Sequence, residues 1–282
     1  MRFALCHPAS VLGLVASVLA APVSAQDITI PNFFDPSERF ARPSLAERPR
    51  LRFLTVTDFP PFSTVDAEKR LVGYHVELAR AICEELEVDD RCEIQALPFA
   101  ELEMALLSEE GEAILAGLAV TAQSRQRLAF TRPYFRVPAR FVAKADSKLA
   151  EPIASGLQGK TVGVVDGTAH AAYLRARFSD TSLRVFANRN QALEALRKGD
   201  IEAFFADGLS LARLLATPAG RRDFRFAGGP YLDERFFGQG LSIAVRPDDL
   251  ELREALNSAL AALNNKGVAE ELYLRHFPVG LF

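Results

Sequence analysis

Residues 51–86 read LRFLTVTDFPPFSTVDAEKRLVGYHVELARAICEEL. LRFLTV is an apolar strand, and the paired prolines of the turn TDFPPF, Pro60 and Pro61, prevent it from continuing. LVGY is a second short strand. From His75 to Leu86 the residues Val76, Leu78, Ala79, Ile82 and Cys83 fall along one face of a helix. CEIQAL is the next strand and AELEMALL the helix after it. Strands alternating with helices predict parallel sheets covered by helices on both faces.

Further along, AILAGLAV, from Ala113 to Val120, is apolar throughout, as expected of a central parallel strand buried on both sides. A second run then opens. KTVGVV is a strand, GTAHAAYLRARF a helix, LRVFAN a strand, QALEALRKG a helix and EAFFAD a strand. After DFRFAGGP the chain returns to its first pattern with the strand GLSIAVRP, the amphipathic helix DLELREALNSALAALNNKG and a last helix, GVAEELYLRHF. One pattern run twice and then resumed predicts two α/β lobes. Ligands of open α/β sheets bind at the carboxyl ends of strands, so the cleft between the lobes is where a small solute is expected.

The chain starts with MRFALCHPASVLGLVASVLAAPVSAQ, which has the parts of a secretory signal. Arg2 supplies the charge, Val11 to Ala21 the apolar stretch and Val23-Ser24-Ala25 a small-residue cleavage site, so cleavage is expected after Ala25. That stretch is too short to span a membrane, and no second apolar run near twenty residues follows. Cys6 precedes the apolar stretch, which argues against a lipid-anchored cysteine. Residues 26–50 mix prolines, charges and isolated aromatics with no period, and read as an irregular strap or flexible arm. A formal net charge of −3 gives no general attraction to phosphate backbones, so nucleic acid is not an expected partner.

Cys83 and Cys92, at the end of a helix and the start of the next strand, are expected to pair in an oxidising compartment. Two buried free thiols are the alternative. His75 and His170 show no ligand spacing with either cysteine, so no metal is expected. GLQGKT carries Ala154 where a phosphate loop needs its first glycine and precedes its strand, while GLSIA and GLSLA lack the second glycine of a nucleophile elbow. Neither a cofactor nor a catalytic residue is indicated.

With these segments in place, the chain resembles the family 3 periplasmic solute-binding proteins, the polar amino-acid type that serves ABC importers. The resemblance rests on TDFPPFS with LVGYHVELARAICEEL, AGLAVTAQSRQRLAFTRPY, GKTVGVVDGT, GDIEAFFAD and the stretch from GLSIAVRP to the last helix. It implies a type II periplasmic-binding-protein fold, two lobes each with a mostly parallel sheet flanked by helices. The first lobe is then discontinuous, 51–143 and 239–282, the second is 144–238, and the crossings near FVAKADS and FFGQG form a hinge. A periplasmic, monomeric receptor is implied, closing over an amino acid or similar zwitterion and passing it to a membrane permease. The cysteine pair is also similar to that of the histidine-binding and lysine/arginine/ornithine-binding branch. Other readings on this fold are a cyclohexadienyl dehydratase-like enzyme and a soluble sensor that docks on a membrane receptor.

The resemblance also implies a set of site residues. Phe59 and Phe99 flank the ligand, although with 21 Phe in the chain either can equally be core. Backbone carbonyls of Gly117 and Ala119 and the hydroxyl of Thr121 receive an ammonium group, or else simply form a tightly packed strand. The arginine expected three residues after this threonine is replaced by Ser124, and Arg125 beside it can grip a carboxylate if the local helix start shifts by one residue. Gly167 and Thr168 form an anion corner at a helix start, where Thr168 also suits an ordinary N-cap. His170 faces either cleft or solvent. Asp207 ends EAFFAD where an ammonium partner is implied, with an N-cap as the rival role. Val56 replaces an acidic residue of cation-selective relatives, while Asp58 is nearby.

Overall fold

The computed structural model describes Phe34 and residues 38–282; the signal sequence and its cleavage site lie outside the described residues. β1 (Leu51–Thr55) leads into a small antiparallel sheet of β2 (Asp58–Phe59), β3 (Ser63–Val65) and β4 (Leu71–Val72). There follow α1 (Tyr74–Glu85), β5 (Cys92–Ala96), α2 (Leu102–Leu107), β6 (Ala113–Ile114) and β7 (Ala129–Phe130). Gly73 starts α1 because its φ is 125° and a Cβ there would stand 2.5 Å from the Phe62 carbonyl oxygen. α1 buries Val76, Leu78, Ala79, Ile82 and Cys83, the stripe expected from its periodicity.

Next come β8 (Ala139–Lys144), α3 (Ile153–Gly156), β9 (Thr161–Val165), α4 (Ala169–Arg177), β10 (Ser182–Phe186), α5 (Arg189–Lys198) and β11 (Ala203–Asp207). α6 (Gly208–Ala216), α7 (Pro218–Asp223), β12 (Phe224–Tyr231) and α8 (Glu234–Phe237) follow, and the chain finishes with β13 (Ala244–Val245), α9 (Leu250–Asn265) and α10 (Val268–His276). The first sheet has the order β5-β1-β6-β13-β7 and the second β10-β9-β11-β8-β12.

Both sheets are mostly parallel, as expected: in each, four of the five strands run one way and a single strand runs against them. β1 runs parallel to β5 and β6, and β9 parallel to β10 and β11, but β8 is antiparallel to β11 and β12, and β13 to β6 and β7. The antiparallel strands are the ones that carry the chain from one sheet to the other and back. β8 is hydrogen-bonded wholly within the second sheet. A bridge between Phe135 and Leu241 pairs the two crossing segments. AILAGLAV is strand only at Ala113–Ile114, because Gly117 at φ 75° turns the backbone out of the ladder.

Helices cover both faces of each sheet. On the first sheet, α1, α9 and α10 pack with Phe53, Leu78, Leu256 and Leu260 on one side, and α2 packs with Leu54 and Leu106 on the other. The second sheet buries Phe141 and Phe205 against α4, and Val142 and Phe204 against α5 and α6. Cys83 and Cys92 form a disulfide with Cα atoms 6.1 Å apart, which pins α1 to β5.

Two segments without helix or strand pack on this framework, and the second of them bridges its halves. Residues 38–50 dock on the first sheet's helices: Leu45 is buried, Arg91 donates to the carbonyls of Ala46 and Arg48, and Arg48 pairs with Asp249 at the start of α9. At the other end, Leu281 donates its N–H to the Tyr273 hydroxyl at 2.6 Å, while its carbonyl accepts from Arg140 of β8 at 2.7 Å. Val279 packs against cores of both sheets.

Candidate ligand-binding site

Phe59 is set at its place by what lies beneath and beside it. Its ring stacks on Phe62 at 4.8 Å, with His75 packed against both rings. Its edge meets Gly117, where a Cβ would stand 2.8 Å from the ring's Cε1, so only glycine lets the aromatic settle there. His75 is buried, with Nε2 2.7 Å from the Tyr134 hydroxyl, and burial pushes its pKa down to about 3. It is a neutral support for the ring.

Across from Phe59 stands Asp207, at the end of β11. Oδ1 accepts from the Ser210 N–H at 2.7 Å, capping α6, and the Ser210 hydroxyl donates back to the Asp207 carbonyl. The N-cap role is therefore real, and it occupies one carboxylate oxygen only. Phe59 and Asp207 line a single cavity of about 530 Å³, within the size range of small-molecule sites. Asp58, Arg189 and Arg213 share its wall, so two carboxylates face two guanidiniums. Arg213 reaches across to the Pro60 carbonyl at 3.4 Å.

Gly167, which is not in the lining of this cavity, takes φ 68° between β9 and α4. Thr168 is the N-cap of α4, accepting from the Ala171 N–H and donating to the Val165 carbonyl at 2.7 Å. The amides of the first turn have no helical acceptor and form the positive end of the helix dipole. His170, in that turn, stacks on Phe237 at 5.2 Å and meets the edge of Phe205 at 5.7 Å. Burial lowers its pKa, and the Asp207 carboxylate partly opposes that.

Elsewhere the geometry departs from expectation. Ser124 ties the turn after Gly117 into a knot: its hydroxyl donates to the Ala119 carbonyl at 2.9 Å and accepts the Thr121 N–H at 2.9 Å. Thr121 Oγ1 in turn accepts the Ser124 N–H at 3.0 Å. The carbonyl and hydroxyl assigned to a guest ammonium are thus engaged within the turn. Arg125 lies outside the Phe59–Asp207 cavity, donating to Gln239 Oε1 at 2.7 Å with its guanidinium 5.8 Å from the Phe130 ring centre. Phe99 is 56% exposed and does not line that cavity. Arg189 and Arg213 escaped sequence reasoning, although Arg213 lies three residues beyond Ser210, on the helix face that Asp207 caps.

Residues 51–279 match the family model of bacterial extracellular solute-binding proteins, family 3. The chain belongs to this family. It is 31% identical over 235 residues to the lysine/arginine/ornithine-binding periplasmic protein of Escherichia coli, covering 82% of this chain and 89% of that protein. To the L-arginine-binding protein of Pseudomonas aeruginosa it is 31% identical over 243 residues, 85% of this chain and 92% of the relative. Its fold matches the L-cystine solute receptor of Neisseria gonorrhoeae in the unliganded open conformation, with a TM-score of 0.69 at 18% identity over 82% of this chain and 94% of the receptor. As a family 3 protein it has the type II periplasmic-binding-protein fold, and the Escherichia coli relative is a binding protein of the periplasm.

Proposed function

We propose that this protein captures an amino acid or related small zwitterion between its two sheets and presents it to the permease of an ABC importer. The observation that carries this reading is the cavity in which Phe59, from the first half of the chain, meets Asp207, from the second. Asp207 takes the ligand's cationic group through the oxygen its cap leaves over, Phe59 covers the apolar part, and the start of α4 with Gly167 and Thr168 receives the anionic end. Paired carboxylates and guanidiniums around one space suit a guest carrying both signs. The lysine-, arginine- and ornithine-binding relative supports a ligand of this class. The two crossings serve as the hinge, and export with cleavage after Ala25 completes the reading.

Asp207→Asn decides the matter, because asparagine caps a helix as well as aspartate and removes only the charge. Calorimetric titration against a panel of amino acids is expected to find a ligand whose affinity drops roughly tenfold or more in the variant, with folding intact. Equal affinity in both proteins would remove Asp207 from the site. Phe59→Ala, titrated alongside, is expected to weaken the same ligand.

A further inference from the structure

A second cavity, of about 460 Å³, lies away from the first, and none of its walls is shared with the Phe59–Asp207 cavity. It sits where the arm, the β7 edge of the first sheet, the two crossings and α9 meet. Five arginines reach its lining, from Arg39 in the arm to Arg253 in α9, against three glutamates, Glu38, Glu234 and Glu254. Three of these guanidiniums each hold one carboxylate: Arg132 holds Glu38, Arg136 holds Glu234 at 2.9 Å, and Arg253 holds Glu254 at 2.7 Å. Arg125 differs. Its guanidinium rests on the Gln239 amide oxygen and near the Phe130 ring, with no carboxylate in ion-pair reach among the described residues.

The lining therefore sets five guanidiniums against three carboxylates in a recess large enough for a small molecule. Guanidiniums gathered in such a space repel one another, and the repulsion weakens when an anion enters. Their planar forks match the oxygens of a carboxylate or phosphate two at a time. We propose that this arginine-lined cavity beside the crossings is a second binding site, for a small oxyanion bearing at least two negative charges. Free phosphate and a polycarboxylate share the chemistry that the lining recognises.

Calorimetric titration of the whole protein in dilute, phosphate-free buffer tests this with three probes: inorganic phosphate, citrate and, as the singly charged control, acetate at matched ionic strength. Saturable one-to-one binding of phosphate or citrate is expected, with none for acetate, and the stronger probe identifies which oxyanion the site favours. Arg125→Gln is expected to weaken that binding about tenfold, the scale of one lost charge-assisted contact. Asp207→Asn is expected to leave it unchanged, so the result stands apart from the fate of the first cavity. Arg253→Gln, on the surface of α9, gives the same reading should Arg125→Gln fold poorly. The proposal is overturned if neither probe saturates by about 10 mM, if acetate binds as well, or if both arginine variants bind like the parent.

Discussion

His75 lies in an aromatic nest of Phe59, Phe62, Tyr74 and Tyr134, and its Nδ1 has no partner among the described residues. With its pKa held down at about 3 by burial, it stays neutral in the fold, while in the unfolded chain it titrates near 6.5. Below that value the unfolded state takes up a proton that the native state refuses, so this contribution to stability is whole above pH 6.5 and is lost as pH falls toward 3. The slope is about 1.4 kcal/mol per pH unit. Urea unfolding between pH 7 and pH 4 is expected to show that decline, and His75→Leu to flatten it; an unaltered slope in the variant would contradict the assignment. Asp223 adds to acid sensitivity only lower down, since hydrogen bonds from Arg222 and Arg197 hold it below the usual carboxylate range. Single side chains were unevenly legible in the sequence. Phe59 and Asp207, singled out by resemblance, line one cavity, whereas the direction of Arg125 depends on a turn that Ser124 rearranges.

α1 and β5 are joined covalently across a short loop, with the two cysteines nine residues apart. Closing such a loop removes freedom from the unfolded chain, so Cys92→Ser is expected to cost about 2–3 kcal/mol in denaturant unfolding, and added reductant to lower the parent to the same level. A parent indifferent to reductant would show that the bond contributes nothing. Helix positions followed closely from the sequence: α1, α5 and α9 fall on the segments read as helix. The single reversed strand of each sheet did not, since β8 and β13 are apolar runs like their neighbours, and nothing in such a run tells parallel from antiparallel pairing. AILAGLAV was read as one strand because its apolar character hides the turn that Gly117 makes.

At the scale of the whole molecule, Arg140 is the joint between the sheets and the tail. It is 8% exposed, lies 4.3 Å from the centre of the Phe226 ring, and donates to the carbonyls of Gly228 and Leu281. Arg140→Ala leaves the buried Leu281 carbonyl without this donor and is expected to lower unfolding stability by about 2–3 kcal/mol, read from the urea midpoint. A loss under about 0.5 kcal/mol would mean that the tail holds itself. The arm and the tail were the least legible parts of the chain, because neither has a period and each is held by contacts to residues distant in sequence. Two crossing strands by themselves let a pair of plates both swing and skew. A third tether grips one plate through Arg140 and the other through Tyr273, so any skew of the plates has to break one of two hydrogen bonds to Leu281.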